Sequence, residues 1–256
     1  MTLLPRRPSS SFTLRLCLLL ALLLAHGCGV PPQPELKDFI LTGDDANAML
    51  CRPKGQGPFP AVVYSLGRIT DFEAFQKARG RLGDRICRSL ASEGYLTFIP
   101  VREFQRGFGP ENIPYNLAEL SQAVDYVKTL PDVDLSRVAV MGQSRGGLLT
   151  LMLALQRKDL KTIVITAPAD IRPYFSSAVA RVASLNAPVL LLVEVSDEEG
   201  GLGAVNVLDN ALRNHGKEVR TIRYDRGGGH YLFTSLSKVD WYWWNDVSVF
   251  LREKLR

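Results

Sequence analysis

Gly142-Gln-Ser-Arg-Gly146 is the stretch that decides the fold of this chain, because its serine has a glycine two positions before it and two positions after it. An apolar run, Val138–Met141, precedes the stretch, and Leu148–Leu155 follows it with the composition of a buried helix. In so tight a strand-to-helix turn the two flanking residues crowd each other, so both must lack a side chain. The pattern predicts a nucleophile elbow that holds the hydroxyl of Ser144 at the carboxyl edge of a sheet.

The histidines narrow the choice of a base for this serine. A serine hydroxyl is a poor nucleophile near neutral pH unless a base takes its proton, and histidine is the usual base. The chain has 3 histidines. His26 lies in the N-terminal segment, and His215 lies where a helix is expected to end in solvent. His230 remains, after three glycines that let the loop swing its ring across the sheet edge. The alternative is a histidine in a flexible glycine turn.

The acid is expected between serine and histidine, which is the chain order in α/β-hydrolases. Ala187–Val195 has the composition of a strand buried on both faces, and Asp197 is the first carboxylate past its end. Asp170, which follows the preceding strand, is the alternative. The other nearby carboxylates are expected inside the strand or on the solvated loop: Glu194, Glu198 and Glu199.

Apolar strand-like runs alternate with helical patterns along the chain. Such alternation predicts an α/β fold with a mostly parallel central sheet, helices on both faces, and a site where loops meet at the carboxyl ends of the strands. The strands are expected at 39–42, 46–51, 61–65, 95–99, 138–141, 162–167, 187–195 and 219–224, and the main helices at 83–92, 115–129, 148–155 and 241–255. Only about twenty residues, Ala169–Ala187, are available for a lid, so no large lid is expected.

These motifs resemble the dienelactone hydrolase-like group of α/β-hydrolases over about residues 38–256. The likeness rests on Gly142–Gly147, on Asp197 after Pro188–Leu192, and on Gly229-His230. The segment Pro58–Val63 is similar to that group and also to prolyl-oligopeptidase-type hydrolases. The resemblance implies a hydrolase in which Ser144, His230 and Asp197 form a catalytic triad. It also implies an oxyanion hole made by the backbone N–H of Arg145 and that of Gly67 or Arg68.

Two departures from the group bear on the substrate. True dienelactone hydrolases carry cysteine at the elbow, where this chain has Ser144, and many relatives carry His-Gly where it has Leu66-Gly67. Both departures leave general carboxylic ester hydrolysis as the expected activity, without a cofactor. The short region available for a lid favours small soluble substrates. The alternatives are a prolyl-oligopeptidase-like serine peptidase, whose relatives usually carry an additional domain, and a non-catalytic surface lipoprotein that uses the fold for binding.

The N-terminal residues have the parts of an export signal. Arg6, Arg7 and Arg15 precede an apolar core of about ten residues, too short to span a bilayer. Its end, Ala25–Cys28, resembles a bacterial lipobox and implies acylation of Cys28. We expect a signal peptide over residues 1–27, a tether over 28–37 and a hydrolase domain over 38–256. The protein is then an exported, membrane-anchored lipoprotein or, without acylation, a periplasmic or secreted one.

Charge and cysteine content give no indication of a nucleic-acid partner or of a metal site. The net charge of +5 comes largely from the first 27 residues, since without them 28 Lys+Arg face 26 Asp+Glu. No basic stripe favours a nucleic-acid partner. No cysteine or histidine pair has zinc-ligand spacing, so no metal is expected. Cys51 and Cys87 are predicted to be buried free thiols, and the alternative is a bridge formed in an oxidising compartment.

Overall fold

A single seven-stranded sheet organises the computed structural model, which describes residues 48–68, 84–100, 109–234 and 242–255. The strand order is β1-β3-β2-β4-β5-β6-β7, with β1 antiparallel to β3 and every other neighbouring pair parallel. This confirms the predicted mostly parallel α/β architecture. The strands are β1 Met49–Cys51, β2 Phe59–Ser65, β3 Leu96–Ile99, β4 Val133–Gln143, β5 Thr162–Thr166, β6 Val189–Glu194 and β7 Val219–Tyr224.

Helices cover both faces of the sheet. Successive strand residues point to opposite faces, so a strand that is apolar throughout needs a covering layer on each side. Ala61 and Val63 of β2 face one core, whereas Val62 and Tyr64 face the other. The first core holds α2 to α5, and the second holds α1 and α6. The helices are α1 Asp84–Ser92, α2 Ile113–Thr129, α3 Arg145–Gln156, α4 Tyr174–Val179, α5 Gly201–Asn214 and α6 Tyr242–Leu255.

The predicted elements lie close to the observed ones, and the largest difference is at β4. The apolar run predicts a strand from Val138, but β4 begins at Val133, and the residues in between are polar except for an exposed leucine, Leu135. That extension is partly exposed, and Val133 pairs with Phe59 beyond a register shift. A half-exposed strand end carries no continuous apolar run, so hydrophobicity alone missed it.

The prediction of two free thiols is wrong. Cys51 of β1 and Cys87 of α1 form a disulfide, with Cα atoms 5.6 Å apart and 36 positions apart in the chain. Because α1 follows β2 and packs beside β1 and β3, the two cysteines meet at the sheet edge. The first half of the predicted hairpin lies outside the described residues, as do His26, Cys28, the signal peptide and the tether. No helix of the described part is long and apolar enough to span a bilayer.

Candidate active site

Ser144 occupies a strained turn between β4 and α3. Its backbone has φ 55° and ψ −121°, a combination that non-glycine residues adopt rarely and mostly at functional sites. Its N–H donates to the carbonyl of Thr166 at 3.0 Å, and its carbonyl accepts the N–H of Leu148 at 3.1 Å. The residue is half-buried in an otherwise buried segment. The neighbouring strand and helix therefore hold the conformation and leave Ser144 accessible.

The two motif glycines are required by close backbone approach. A Cβ on Gly142 would lie 2.5 Å from the carbonyl carbon of Gly146, and a Cβ on Gly146 would lie 2.6 Å from the carbonyl oxygen of Leu66. Both distances are shorter than real Cβ contacts allow. The first contact lies within the elbow, and the second packs the start of α3 against the residue that follows β2. These contacts are the physical reason why the turn requires glycine at both positions.

Asp197 lies in a tight turn after β6 and faces His230. Its N–H donates to the carbonyl of Glu194 at 3.1 Å, and its Oδ1 accepts the N–H of Glu199 at 3.0 Å. Its Oδ2 lies 2.9 Å from Nδ1 of His230, and both side chains are buried. Asp170, the alternative acid, is exposed and lies 3.3 Å from Arg172. Of the two candidate acids, the structure brings Asp197 to the imidazole.

The surroundings of His230 indicate which ring nitrogen carries the proton. Nε2 of the ring lies 3.3 Å from the side-chain nitrogen of Gln143. An amide nitrogen only donates, so this contact favours a proton on Nδ1, facing Asp197, and a lone pair on Nε2. Nε2 also lies 3.6 Å from Oε2 of Glu199. This distance is too long for a hydrogen bond, whereas the carboxylate of Asp197 at 2.9 Å from Nδ1 favours the same tautomer as the Gln143 contact.

Glu199 is held beside the imidazole by Tyr231, the residue that follows His230 in the chain. The hydroxyl of Tyr231 donates to Oε1 of Glu199 at 3.0 Å. This hydrogen bond to a carboxylate raises the pKa of Tyr231. Tyr231 is exposed and its ring stands edge-on to that of His230, with centroids 5.9 Å apart. Glu199 and Tyr231 thus form the solvent-facing side of the site.

Gln143 is a site residue that sequence reasoning missed. It is buried, and its side-chain oxygen lies against the position that a Cβ of Gly67 would occupy. Its amide therefore bridges the loop after β2 and the imidazole. Both Ser144 and His230 are described, and no hydrogen bond joins the serine hydroxyl to the ring. The sequence feature that could have indicated Gln143 is its position, a polar residue directly before the serine of the glycine motif.

The predicted oxyanion donors flank Ser144. Arg145 is the first residue of α3, where the backbone N–H groups lack helical partners. Gly67 is close, since a Cβ there would be 3.4 Å from Cβ of Ser144. Arg68 is exposed. Burial, and to a smaller extent the nearby charge of Arg68, lowers the pKa of the Arg145 side chain. The roles of these backbone groups in binding an oxyanion stay predictions.

No cluster of three or more histidine, cysteine, aspartate or glutamate side chains that could hold a metal ion occurs within the described ranges.

Comparison with known proteins identifies similar chains. The model of the "Dienelactone hydrolase family" matches residues 47–240. "Esterase EstD" of Thermotoga maritima is 30% identical over 141 residues, which cover 54% of this chain but only 34% of the esterase. A protein of Escherichia coli (strain K12) named "Putative carboxymethylenebutenolidase" is 28% identical over 206 residues, covering 73% of each chain.

Solved structures support the same fold. A structure described as a "Putative Dienelactone Hydrolase" from Klebsiella pneumoniae has a TM-score of 0.65 and 21% identity, covering 80% of this chain and 92% of its own. Dipeptidyl peptidase 4 of Porphyromonas gingivalis has a TM-score of 0.63 and 17% identity, but only 33% of that larger chain is covered. At such identities these neighbours show the α/β-hydrolase fold and no more.

Proposed function

The chain belongs to the dienelactone hydrolase family, and from this premise we propose that it is a carboxylic ester hydrolase that works through Ser144, His230 and Asp197. The observation that supports this most is the buried hydrogen bond between His230 and Asp197 beside the strained turn of Ser144. Together they supply a nucleophile, a base in the required tautomer and an acid that orients the base.

In the proposed mechanism the hydroxyl of Ser144 attacks the ester carbonyl while Nε2 of His230 takes its proton. The imidazolium then protonates the leaving alkoxide, and a water molecule, deprotonated by the same nitrogen, hydrolyses the acyl-enzyme. Asp197 stabilises the imidazolium through Nδ1. For Nε2 to act, the ring must exchange the amide of Gln143 for the serine hydroxyl. Catalytic hydrogen bonds are often loose in free enzymes and tighten in the substrate complex.

The oxyanion that forms during attack needs donors next to Ser144. We assign this role to the backbone N–H of Arg145 and to that of Gly67 or Arg68. Arg145 starts α3, so the positive end of the helix dipole also faces the developing charge. Each such donor is worth about 3 kcal/mol in the transition state.

Small soluble esters are the proposed substrate class. Between β5 and β6 the described chain holds only α4 and a short 3₁₀ turn, Val182–Ser184, so no large lid covers the carboxyl edge at this point. Two relatives carry names that denote an esterase and a butenolide hydrolase. Because the elbow carries serine rather than cysteine, we propose simple acyl esters rather than dienelactone.

The nucleophile is tested with Ser144→Ala. Ester turnover on p-nitrophenyl acetate and labelling by a fluorophosphonate probe should fall to background, because no other hydroxyl occupies the elbow. Ser92→Ala, an exposed serine at the end of α1, is the matched control and should retain both activities. A peptide amide assayed in parallel separates esterase from peptidase. Turnover retained by Ser144→Ala would refute the assignment, and preferential amide cleavage by the wild type would favour the peptidase.

We also propose that the protein is exported and anchored through an acylated Cys28. The disulfide between Cys51 and Cys87 supports export, since such bridges persist in oxidising compartments. Expressed with its own N-terminus, the wild type should partition into detergent, whereas Cys28→Ala should not. An intact mass that shows an unmodified N-terminus beyond residue 28 would refute the anchor and leave a secreted or periplasmic enzyme.

A further inference from the structure

Glu194 is a buried carboxyl group that the proposed mechanism does not use. It is the last residue of β6 and is 0% exposed. Removing a carboxyl group from water is costly unless it is hydrogen-bonded or paired. In the part of the chain that the structure describes, no lysine or arginine side chain forms an ion pair with it. Its hydrogen bonds must therefore account for its presence.

The side chain of Glu194 holds the start of the loop that carries His230. Its two oxygens lie 3.3 and 3.4 Å from the backbone nitrogen of Arg226, which donates to them. Arg226 directly precedes Gly227, Gly228 and Gly229, whose φ angles of 81°, 99° and 52° are all positive. Three successive glycines have no side chains to pack, so they do not fix the path of the chain. The bond at Arg226 anchors the loop just before this permissive segment.

The backbone of the same residue holds the turn that carries the acid. The carbonyl of Glu194 accepts the N–H of Asp197 at 3.1 Å. In the sheet Glu194 pairs with Tyr224, two positions before Arg226. One residue thus fixes the starting points of both loops whose tips meet in the 2.9 Å contact between Asp197 and His230.

We propose that Glu194 is a positioning residue that sets the register between the acid and base loops. This inference rests on the proposed function, in which the contact of Asp197 with His230 orients the base. What the position requires is a buried acceptor of the right reach, not a negative charge. Glutamine has the same shape and keeps one acceptor oxygen. Leucine fills the space but removes the acceptor of the Arg226 N–H, so the start of the loop loses its bond to β6.

The test compares Glu194→Gln and Glu194→Leu with the full-length wild type. We expect Glu194→Gln to keep kcat within about threefold. Glu194→Leu should lower kcat about 100-fold while KM stays within about threefold, because a displacement of about 1 Å at catalytic groups costs that much. The second readout is the downfield NMR resonance of the Nδ1 proton of His230. It should persist in Glu194→Gln and broaden or vanish in Glu194→Leu.

Glu93→Leu is the matched control, since Glu93 accepts hydrogen bonds from Trp244 and Ser248 on α6 in a structural contact. It should lower the melting temperature without changing kcat or the resonance. If it lowers kcat as much as Glu194→Leu does, the effect is general destabilisation and the proposal is overturned. It is also overturned if Glu194→Leu retains both kcat and the resonance, or if Glu194→Gln is as impaired as Glu194→Leu.

Two further arms keep the outcome decisive. Should Glu194→Leu not fold, Glu194→Asp keeps the carboxyl but withdraws it by one methylene, and it should lower kcat at least tenfold and weaken the resonance. Unchanged kcat in Glu194→Asp would then overturn the proposal. If the wild type hydrolyses no ester, the proposed function fails, but loss of the resonance in Glu194→Leu and its retention in Glu194→Gln still support the positioning role.

Discussion

Substituting Gly201, the first residue of α5, should displace the carboxyl of Asp197, the proposed acid, while all three side chains of the proposed triad stay chemically unchanged. A Cβ at this position would lie 2.9 Å from Cγ of Asp197 and closer still to Oδ2, the oxygen that faces His230. Ordinary contact requires at least 3.4 Å, so the carboxyl must retreat by about 1 Å. Its side chain is fully buried and Oδ1 is held by the N–H of Glu199, which leaves little room to do so.

The expected cost follows from the hydrogen bond that this shift breaks. A contact of 2.9 Å lengthened by about 1 Å is no longer a hydrogen bond. Misplacing a catalytic group by this distance costs about 100-fold, and loss of the correct histidine tautomer costs up to about 10⁴-fold. We therefore expect Gly201→Ala to lower kcat for p-nitrophenyl acetate by about 100-fold to 10⁴-fold, or about 3–5 kcal/mol.

Gly203→Ala in the same helix is the control for this substitution. Gly203 is exposed, and nothing lies within 4 Å of a Cβ built on it. Alanine there should stabilise the fold by about 0.5–1 kcal/mol with unchanged kcat, because glycine is the poorer helix former. Turnover of Gly201→Ala within threefold of the wild type, with the fold intact by circular dichroism, would refute the reasoning.

Three other predictions concern groups around the site and the sheet edge. Asp197→Asn should lower turnover by about 10⁴-fold, because it favours the wrong tautomer of His230, whereas Asp170→Asn should leave turnover unchanged. The reverse result would assign the role of the acid to Asp170. Gln143→Leu should raise kcat/KM about 2–10-fold, because the hydrogen bond from its amide to Nε2 of His230 no longer has to break before the ring accepts the serine proton; a lower kcat/KM at an unchanged melting temperature would contradict this. Replacing both Cys51 and Cys87 by serine should cost about 3–4 kcal/mol in urea unfolding, given a sequence separation of 36, and no loss would exclude a stabilising bridge.

Much of the fold was predictable because its signals are local. A strand buried on both faces reads as a short apolar run, as in Val189–Glu194, and a covering helix reads as a 3.6-residue period, as in Ile113–Thr129. The elbow was predictable for the same reason, since two glycines flank one serine within five residues. His230 could be predicted as the candidate base without any spacing rule, because the other two histidines could be excluded.

Contacts between distant segments were beyond the sequence patterns. The disulfide depends on β1 pairing with β3 and on α1 packing beside both, and apolar periodicity specifies neither the partner strand nor the register. Gln143 and Glu194 sit at unremarkable positions, one inside the glycine motif and one at a strand end. Their contacts depend on the path of the chain, which brings a ring nitrogen to Gln143 and a backbone N–H to Glu194.

The two carboxylates considered for the acid show how the path of the chain decides such a role. After β6 the chain folds back at once, with the N–H of Asp197 on the carbonyl of Glu194, and Gly201 then starts α5 against the carboxyl. After β5 it runs outward instead, and Asp170 ends exposed beside Arg172. A carboxylate can orient a neutral imidazole strongly only where water does not compete for it. Burial by the tight turn and by the glycine start of α5 therefore distinguishes Asp197 from Asp170, although both follow a strand at the same edge of the sheet.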